Sequence, residues 1–278
     1  MNMPALRKKA GTTVNANIAA KTRKKVNKKT PTKVAAIKSK NPTPARTSKS
    51  SKVKVANKLL ASLSAAEFRR LLPHLEPIGL MFGDVLFEPG SAIDYVYFPN
   101  DSLVSMLTVV DDRLALEVGM VGCEGMVGVA FSLGITTSPV RAVVQGAGTA
   151  MRMKAALFRK ALNANGTLQK SVNLYIHAFM AQVSQTAACN RFHVVEARLA
   201  RWLLMTRDRV DADHFELTHE FLGRMLGVRR VGVTKAANAL KQQNLIEYSR
   251  GNIVIMNGRG LEAASCSCYK TLRDAQPF

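Results

Sequence analysis

The sequence predicts an α+β chain in which a β-roll is followed by one long helix and then by a winged helix-turn-helix domain. Three observations predict this order. Apolar residues recur at strand spacing from Glu76 to Lys154 and at helical spacing after it. Turn pairs such as Gly83-Asp84 and Pro89-Gly90 divide the strand region into short segments. In the last third of the chain, helical segments surround one glycine turn, and two short strands follow them.

The first 55 residues differ in composition from the rest. They contain 16 Lys and Arg residues and no acidic residue, whereas the remaining residues carry only +5 of the chain's +21 formal charge. The segment has no aromatic residue, so it lacks the apolar surface that offsets the entropy of ordering. We predict a disordered basic arm over residues 1–56 that contacts phosphates. A transit peptide and a solvated tail are the alternative interpretations.

The composition also excludes several classes of protein. Hydrophobic residues make up 47% of the 278 residues, which is enough for a packed core. No window approaches the ~18 consecutive apolar residues of a membrane span, and the start lacks the apolar region of a secretory signal. The four cysteines point to a reducing compartment instead of a disulfide-rich secreted fold. We therefore expect a soluble, cytoplasmic protein without a membrane partner.

The ordered part is expected to begin near Asn57 with a helical segment. Leucines recur at helical spacing from Leu59 to Leu75, and Ser64 with Glu67 has the spacing of a capping box. The β-roll domain is predicted over residues 57–165. Its strands are expected at six places, which are Val85–Phe87, Tyr95–Phe98, Leu103–Val110, Leu114–Val118, Val140–Gln145 and Thr149–Met153.

Residues 166–192 are predicted to form one long connecting helix. Val172, Ile176, Phe179 and Val183 are spaced four, three and four residues apart, which is the seam pattern of two packed helices. We expect these four residues to form a dimer interface. The same periodicity also fits a core helix of a monomer, because periodicity does not identify the surface against which a helix packs.

The winged-helix domain is predicted over residues 193–278. An amphipathic helix around Trp202 precedes a helix over His219–Leu226, and Gly227 separates that helix from a second one that ends near Gln243. The wing is expected in two strand segments and the turn between them, which are Leu245–Tyr248, Ser249-Arg250-Gly251 and Asn252–Met256.

Four stretches of the chain resemble the Crp/Fnr family of bacterial transcription factors. Phe82–Gly90 is similar to the opening turn of the family's β-roll, and Val118–Gly128 resembles a branch that lacks an evident cyclic-nucleotide site. Leu217–Thr234 resembles the helix-turn-helix, and Ala239–Ile246 is similar to the exit from its recognition helix. The resemblance implies a cyclic-nucleotide-binding-type β-roll, a long dimerisation helix and a sequence-specific DNA-binding regulator of transcription.

The second helix of the motif carries residue types that suit DNA. The major groove admits one helix, and side chains of its first turns reach base edges. Arginine forks onto guanine or phosphate, and lysine supplies a point charge. Apolar residues are expected to face the first helix, and these are Val228, Val231, Ala236 and Leu240.

The resemblance refines the choice of DNA-contacting residues. It places the family's arginine contact on Arg230 and a later basic contact on Lys235. The family's acidic base reader falls on Val231 and its hydroxyl cap on Arg229, so the usual half-site sequence is not expected here. Arg250 in the wing turn is expected to meet a phosphate. The full set of candidate DNA-binding residues is Thr218, Arg229, Arg230, Thr234, Lys235 and Arg250.

Family members that bind cyclic nucleotide use a Gly-Glu step for the ribose and an Arg-Ser/Thr pair for the phosphate. The glycine matches Gly125, but the ribose glutamate falls on Met126, and the arginine and its hydroxyl neighbour fall on Thr136 and Thr137. A buried phosphate needs a fixed cation, and none is available at these positions. These four residues are the candidate effector pocket, and cyclic AMP is not expected to be the effector.

We expect no metal site, no cofactor and no catalytic residue. Cys266 and Cys268 are too few for a tetrahedral site without partners, although His214, His219 or a second subunit are candidate partners. A buried or surface thiol pair is the preferred interpretation. His177 and His193 lie on or after the long helix and are expected to be structural.

Three functions compete as interpretations of these patterns. The favoured one is a homodimeric regulator that binds double-stranded DNA, with RNA polymerase as a candidate further partner. The second is a non-DNA regulatory or scaffold protein that uses the roll to bind protein, but that class needs no basic recognition helix. The third is an enzyme, for which the sequence offers no nucleophile, metal-ligand or P-loop pattern.

Overall fold

The computed structural model describes residues 56–111, 114–164 and 166–278. The basic arm predicted over residues 1–56 therefore lies outside the described residues, apart from Ala56. The fold class predicted from the sequence is confirmed, because a β-rich N-terminal part is followed by a long helix and a C-terminal helix-turn-helix.

Two short helices, α1 (Lys58–Ala61) and α2 (Ala65–Leu71), open the described part. The predicted capping box is present, since Ser64 accepts from the Glu67 backbone N–H and the Glu67 side chain accepts from that of Ser64. Asn57 caps α1, and its side-chain amide donates to the carbonyls of Pro99 and Gly125 at 2.9 and 2.8 Å. This buried asparagine fastens the start of the fold onto the roll.

The roll consists of two antiparallel sheets. Its strands are β1 (Glu76–Leu80), β2 (Val85–Phe87), β3 (Tyr95–Pro99), β4 (Leu103–Asp111), β5 (Leu114–Val121), β6 (Arg141–Gly146) and β7 (Gly148–Lys154). Three strands lie in the order β1-β7-β3, and four lie in the order β2-β6-β4-β5. Alternate residues face the core, so Val96 and Phe98 are buried while their neighbours Tyr95 and Tyr97 are half-buried.

Helices α3 (Ala155–Ala164) and α4 (Gly166–Phe192) follow the roll. The side chain of Gln182 ties α4 to β5, because it accepts from the Met120 N–H at 2.9 Å and donates to the Met120 carbonyl at 3.1 Å. Neither α4 nor any other helix in the described ranges combines the length and the hydropathy of a membrane span.

The predicted dimer seam is not the free face of α4. Val172 has no exposed surface in the single chain, and Ile176 and Phe179 pack partly against the same core, while Val183 is half-buried. The prediction is therefore wrong for Val172, because the heptad pattern was satisfied by the roll. The free face lies about a third of a turn away, at 100° per residue, and its large apolar members are Leu174, Met180 and Phe192, which are 46%, 64% and 77% exposed.

The C-terminal part contains five helices and a three-stranded sheet. The elements are α5 (Val195–Val210), β8 (His214–Glu216), α6 (His219–Leu226), α7 (Arg230–Gln242), β9 (Ile246–Ser249), β10 (Asn252–Ile255), α8 (Gly258–Ala264) and α9 (Cys268–Asp274). The strands lie in the order β8-β10-β9, with β10 antiparallel to both neighbours. Helices α8 and α9 lie beyond the last element predicted from the sequence.

The hydrophobic core of this C-terminal part extends into the roll. Trp202 of α5 is 1% exposed and belongs to one buried cluster with Leu103 and Leu107 of β4 and Met120 of β5. Burying such residues stabilises the contact by roughly 1.5–3 kcal/mol per large side chain. The C-terminal part is therefore packed directly on the roll of the same chain.

Candidate nucleic-acid interface

The helix-turn-helix is built around a left-handed turn at Gly227. Thr218 caps α6, because its hydroxyl oxygen accepts from the Phe221 N–H at 3.1 Å. Gly227 ends α6 with φ of 62°, a conformation that glycine adopts without steric cost. At Gly223 a β-carbon would lie 2.9 Å from the carbonyl oxygen of Val228, so the glycine lets the two helices approach closely.

Helix α7 buries one face and exposes the other. The buried residues are Val233, Ala236, Ala237 and Leu240, so Ala236 and Leu240 lie on the packed side of the helix. Val231 was expected to face α6, but it is 60% exposed, so that prediction is wrong. Because α7 begins at Arg230, its phase turns Val231 toward solvent, where its methyl groups suit a thymine methyl.

The cations at this end of the molecule are unpaired. Arg229, Arg230 and Lys235 are exposed, and no ion pair joins them to any described carboxylate. Lys241, at the far end of α7, does pair with Glu247 of β9. Positive side chains at a helix N-terminus oppose the macrodipole, so this arrangement costs stability unless an anion is bound. Arg229 occupies the N-cap without a side-chain cap bond.

Arg250 and Thr234 occupy different environments. Arg250 is exposed at the tip of the wing, between β9 and β10, with φ of 49°. Thr234 was expected to contact DNA, but its hydroxyl donates to the Arg230 carbonyl at 3.1 Å and lies 3.0 Å from Nδ1 of His219. This hydroxyl therefore links α7 to α6.

His219 completes a clamp between the two helices and the wing. Its ring stacks on Tyr248 of β9 at a centroid distance of 4.0 Å. Burial, and then the charge of Arg230, lower the pKa of His219, so the ring is neutral at neutral pH. This clamp sets the position of α7 relative to the wing.

Helix α5 meets the roll through a buried carboxyl group. Trp202 Nε1 donates to Glu117 Oε1 at 2.8 Å, and Ser105 Oγ donates to Glu117 Oε2 at 2.6 Å. Burial raises the pKa of Glu117 to about 7, against the lowering effect of these hydrogen bonds and of Arg201 and Arg209. The contact between α5 and the roll therefore contains a carboxyl group whose pKa lies near neutral pH.

A buried ion pair lies in the same contact. Arg209 Nε of α5 donates to Glu124 Oε1 at 2.8 Å, and the two side chains are only 6% and 7% exposed. The other oxygen of Glu124 accepts from the Gly122 N–H at 3.0 Å. Glu124 is thus held by α5 through one oxygen and by the Gly122 backbone through the other.

Helix α6 also touches the roll. A β-carbon at Gly227 would lie 2.6 Å from Leu116 Cδ1 of β5, and the rings of Phe82 and Phe221 are 5.6 Å apart. A cavity of about 1120 Å³ opens between the two parts, and Arg224 and Arg250 lie in its wall. The roll therefore packs against α6 and the turn at Gly227.

The four candidate effector residues lie in different environments. Met126 is 1% exposed in the core, while Thr136 and Thr137 are exposed at the surface. At Gly125 a β-carbon would lie 2.0 Å from the ring of Tyr175, which α4 packs against this glycine. Tyr175 fills the space beside Gly125, and the shared effector pocket stays a prediction.

Sequence reasoning missed the partners of these buried groups. Glu117, Glu124 and Arg209 sit at ordinary strand, loop and helix positions, and nothing local marks them as interacting. Cys189 and His193, in contrast, are four residues apart, a spacing that places two ligand-type side chains on one helix face. That spacing was the local signal that these two side chains could join Cys266 and Cys268 in one cluster.

Comparisons with known proteins bear on this geometry. Residues 197–264 match the family model of the Crp-like helix-turn-helix domain. This stretch includes α6, α7 and the wing. No curated protein is similar enough in sequence to match the chain.

Several solved structures share the fold of this chain beyond the residues that the family model matches. FixK2 from Bradyrhizobium japonicum has a TM-score of 0.60 at 14% identity, over 69% of this chain and 98% of that one. A CRP/FNR-family transcriptional regulator from Thermus thermophilus has a TM-score of 0.57 at 21% identity, over 68% and 98%. The c-di-GMP responsive global regulator CLP from Xanthomonas campestris has a TM-score of 0.57 at 18% identity, over 69% and 99%. At these identities the likeness concerns the fold.

Proposed function

Because the chain has the fold of the Crp/Fnr transcriptional regulators and carries a Crp-like helix-turn-helix domain, we propose that it is a sequence-specific regulator that binds DNA as a homodimer. Helix α7 enters the major groove, and the wing follows the adjacent phosphates. The protein acts where its DNA is, in the cytoplasm.

The unpaired cations support this proposal most directly. Arg229, Arg230 and Lys235 lie on or next to the exposed face of α7, and Arg250 stands at the wing tip. No described carboxylate neutralises them, whereas the cations of α6 and of the α7 C-terminus, Arg224 and Lys241, have acidic partners. Phosphate and base edges are the partners that such a set fits.

The homodimer is proposed through the free face of α4. Leu174, Met180 and Phe192 are exposed there, with Ala181 and Ala188 between them, so two such helices can approach closely. A helix-turn-helix dimer presents two recognition helices to half-sites one helical turn apart. Leu174→Glu with Met180→Glu should yield monomers in sedimentation velocity. Leu133→Glu, at an exposed leucine of the roll, is the matched control.

The effector is proposed not to be a cyclic mononucleotide. Tyr175 occupies the space beside Gly125, and Met126 lies in the core where the ribose carboxylate would be needed. The Xanthomonas relative is c-di-GMP responsive, which makes that dinucleotide the informative comparison in the same titration. Calorimetry should show no stoichiometric heat with cyclic AMP or cyclic GMP, and micromolar binding of either would contradict the proposal.

Selection of genomic fragments bound by the full-length protein tests the function. We expect enrichment of a two-fold symmetric motif with half-site centres about 10 base pairs apart, because the symmetry of the site mirrors that of the dimer. A motif without symmetry would contradict the dimer alone. Recovery of fragments with the same composition as the input would contradict sequence-specific binding and favour the protein-binding scaffold.

A further inference from the structure

Four metal-ligand side chains meet where the end of the chain returns to the junction of α4 and α5. Cys189 lies in the last turn of α4 and His193 just after it, while Cys266 and Cys268 lie between α8 and the first turn of α9. The three sulfurs and the imidazole nitrogen all lie within 4.8 Å of one another. The chain brings these two pairs together from positions 77 residues apart.

The separations fit one tetrahedral ion. Two sulfurs on one zinc ion lie about 3.8 Å apart, and a sulfur and a nitrogen about 3.6 Å apart, given Zn–S and Zn–N bonds of about 2.3 and 2.0 Å. Cys189 Sγ lies 3.5 Å from Cys266 Sγ, and Cys268 Sγ lies 3.4 Å from His193 Nδ1. A disulfide needs sulfurs about 2.0 Å apart, so these thiols are not bonded to each other.

The surroundings suit a closed site. All three cysteines are buried and His193 is half-buried, so four protein ligands leave little access to water. Gln185 Nε2 donates to Cys268 Sγ at 3.0 Å, which is the type of contact that orients a metal-bound thiolate.

Two buried guanidinium groups lie beside the cluster. Arg198 and Arg201 of α5 are 5% and 3% exposed, and neither forms an ion pair with a carboxylate in the part of the chain that the structure describes. Both act electrostatically on Cys189. Buried cations require compensating negative charge. A zinc ion with three thiolates and a neutral imidazole has a net charge of −1, which offsets one of the two guanidinium charges.

We propose that Cys189, His193, Cys266 and Cys268 bind one zinc ion in a tetrahedral Cys3His site. The ion joins the C-terminal segment to the α4–α5 junction. Helix α9 is also held to α5 by the Tyr269 hydroxyl, which donates to Asp208 Oδ2 at 2.8 Å. The site therefore fixes the point at which the long helix meets the DNA-binding domain. This inference does not depend on the proposed function.

Metal analysis of the full-length, untagged protein, purified in reducing buffer, tests the site. We expect about one zinc ion per chain, and cobalt(II) exchange should give the strong visible bands of tetrahedral coordination with thiolate charge transfer. A protein without stoichiometric metal whose four thiols all react freely would overturn the proposal. A Cys189–Cys266 disulfide found by mass spectrometry in that same reduced sample would also overturn it.

Variants identify the ligands through a predicted gain in absorbance as well as through loss of metal binding. Cys266→Ser and Cys268→Ser should weaken zinc binding at least tenfold. His193→Cys should retain the metal and raise the thiolate–cobalt absorbance by about one third, since four thiolates replace three. Cys123→Ser and His177→Ala, which lie outside the cluster, are the matched controls and should bind like the parent. If controls and ligand variants bind metal alike, the assignment is wrong.

Discussion

The two helices of the helix-turn-helix meet different surroundings, although only Gly227, Val228 and Arg229 separate them. Helix α6 and its turn lean on the roll, through Phe221 on Phe82 and Gly227 on Leu116, and its cation Arg224 pairs with Glu220. Helix α7 keeps an exposed face with unpaired cations. In the proposed regulator, a change in the roll would therefore reach α7 through α5 and α6, and α7 would keep its exposed face for the DNA.

The largest expected effect comes from removing the buried ion pair that joins α5 to the roll, Arg209 with Glu124. Arg209→Met leaves Glu124 buried without its counter-ion, which should cost about 3–5 kcal/mol in the free energy of unfolding. Denaturant titration measures it. Arg141→Met is the control, because its ion pair with Glu88 is exposed and should contribute less than about 1 kcal/mol. Equal losses in the two variants would show that the contact between α5 and the roll is not specially coupled.

The free energy of unfolding should also depend on pH, because Glu117 is buried where α5 contacts the roll. Its pKa of about 7 lies above the ordinary value of 4.5, so the folded state holds a proton that the unfolded state has released. This contribution is complete below about pH 4.5 and is lost as pH rises through 7, at up to about 1.4 kcal/mol per pH unit between them. Comparing the unfolding of Glu117→Gln and the parent at pH 5.5 and 8 measures it. The variant should be less pH-dependent, and an unchanged dependence would assign it to another group.

On the DNA side, Arg230→Ala should weaken operator binding by about 1–3 kcal/mol and binding to scrambled DNA by less. Fluorescence anisotropy at one fixed salt concentration measures both. Lys241→Ala, on the same helix but paired with Glu247, should bind like the parent. An equal loss on the two duplexes would make Arg230 a phosphate contact and move base reading to other residues of α7.

The smallest expected effect on sequence preference concerns the arm, which should add affinity for every DNA sequence alike. Each phosphate contact steepens the slope of log K against log salt by about 0.9. A chain that begins at Val55 lacks 16 cationic residues, so its slope should be shallower while its preference for operator over scrambled DNA is kept. Salt titrations of both lengths on both duplexes test this. Identical slopes would mean that the arm does not touch DNA.

Local sequence patterns predicted the helices, strands and turns. They did not predict features that depend on contacts between residues distant in the sequence. The Ser64–Glu67 capping box and the glycine turn at Gly227 follow from short-range chemistry. The exposure of Val231 did not follow from the local sequence. Two helical phases fit a segment of this length, and packing against α5 and α6 selects one of them. The buried pair Glu124–Arg209 joins positions 85 residues apart, a distance that periodicity does not span.

The ring of Tyr175 has a consequence for protein engineering. It is 2% exposed and fills the space beside Gly125 where α4 crosses the roll. Shortening it to alanine would leave a hollow beside Gly125. The buried Glu124–Arg209 pair acts electrostatically on the Tyr175 hydroxyl, so a guest that fills this hollow needs a polar group as well as an aromatic ring. The same helix carries the free face and ends at the junction with α5. One substitution would thus open a site for a synthetic compound on the helix that runs from the roll to α5.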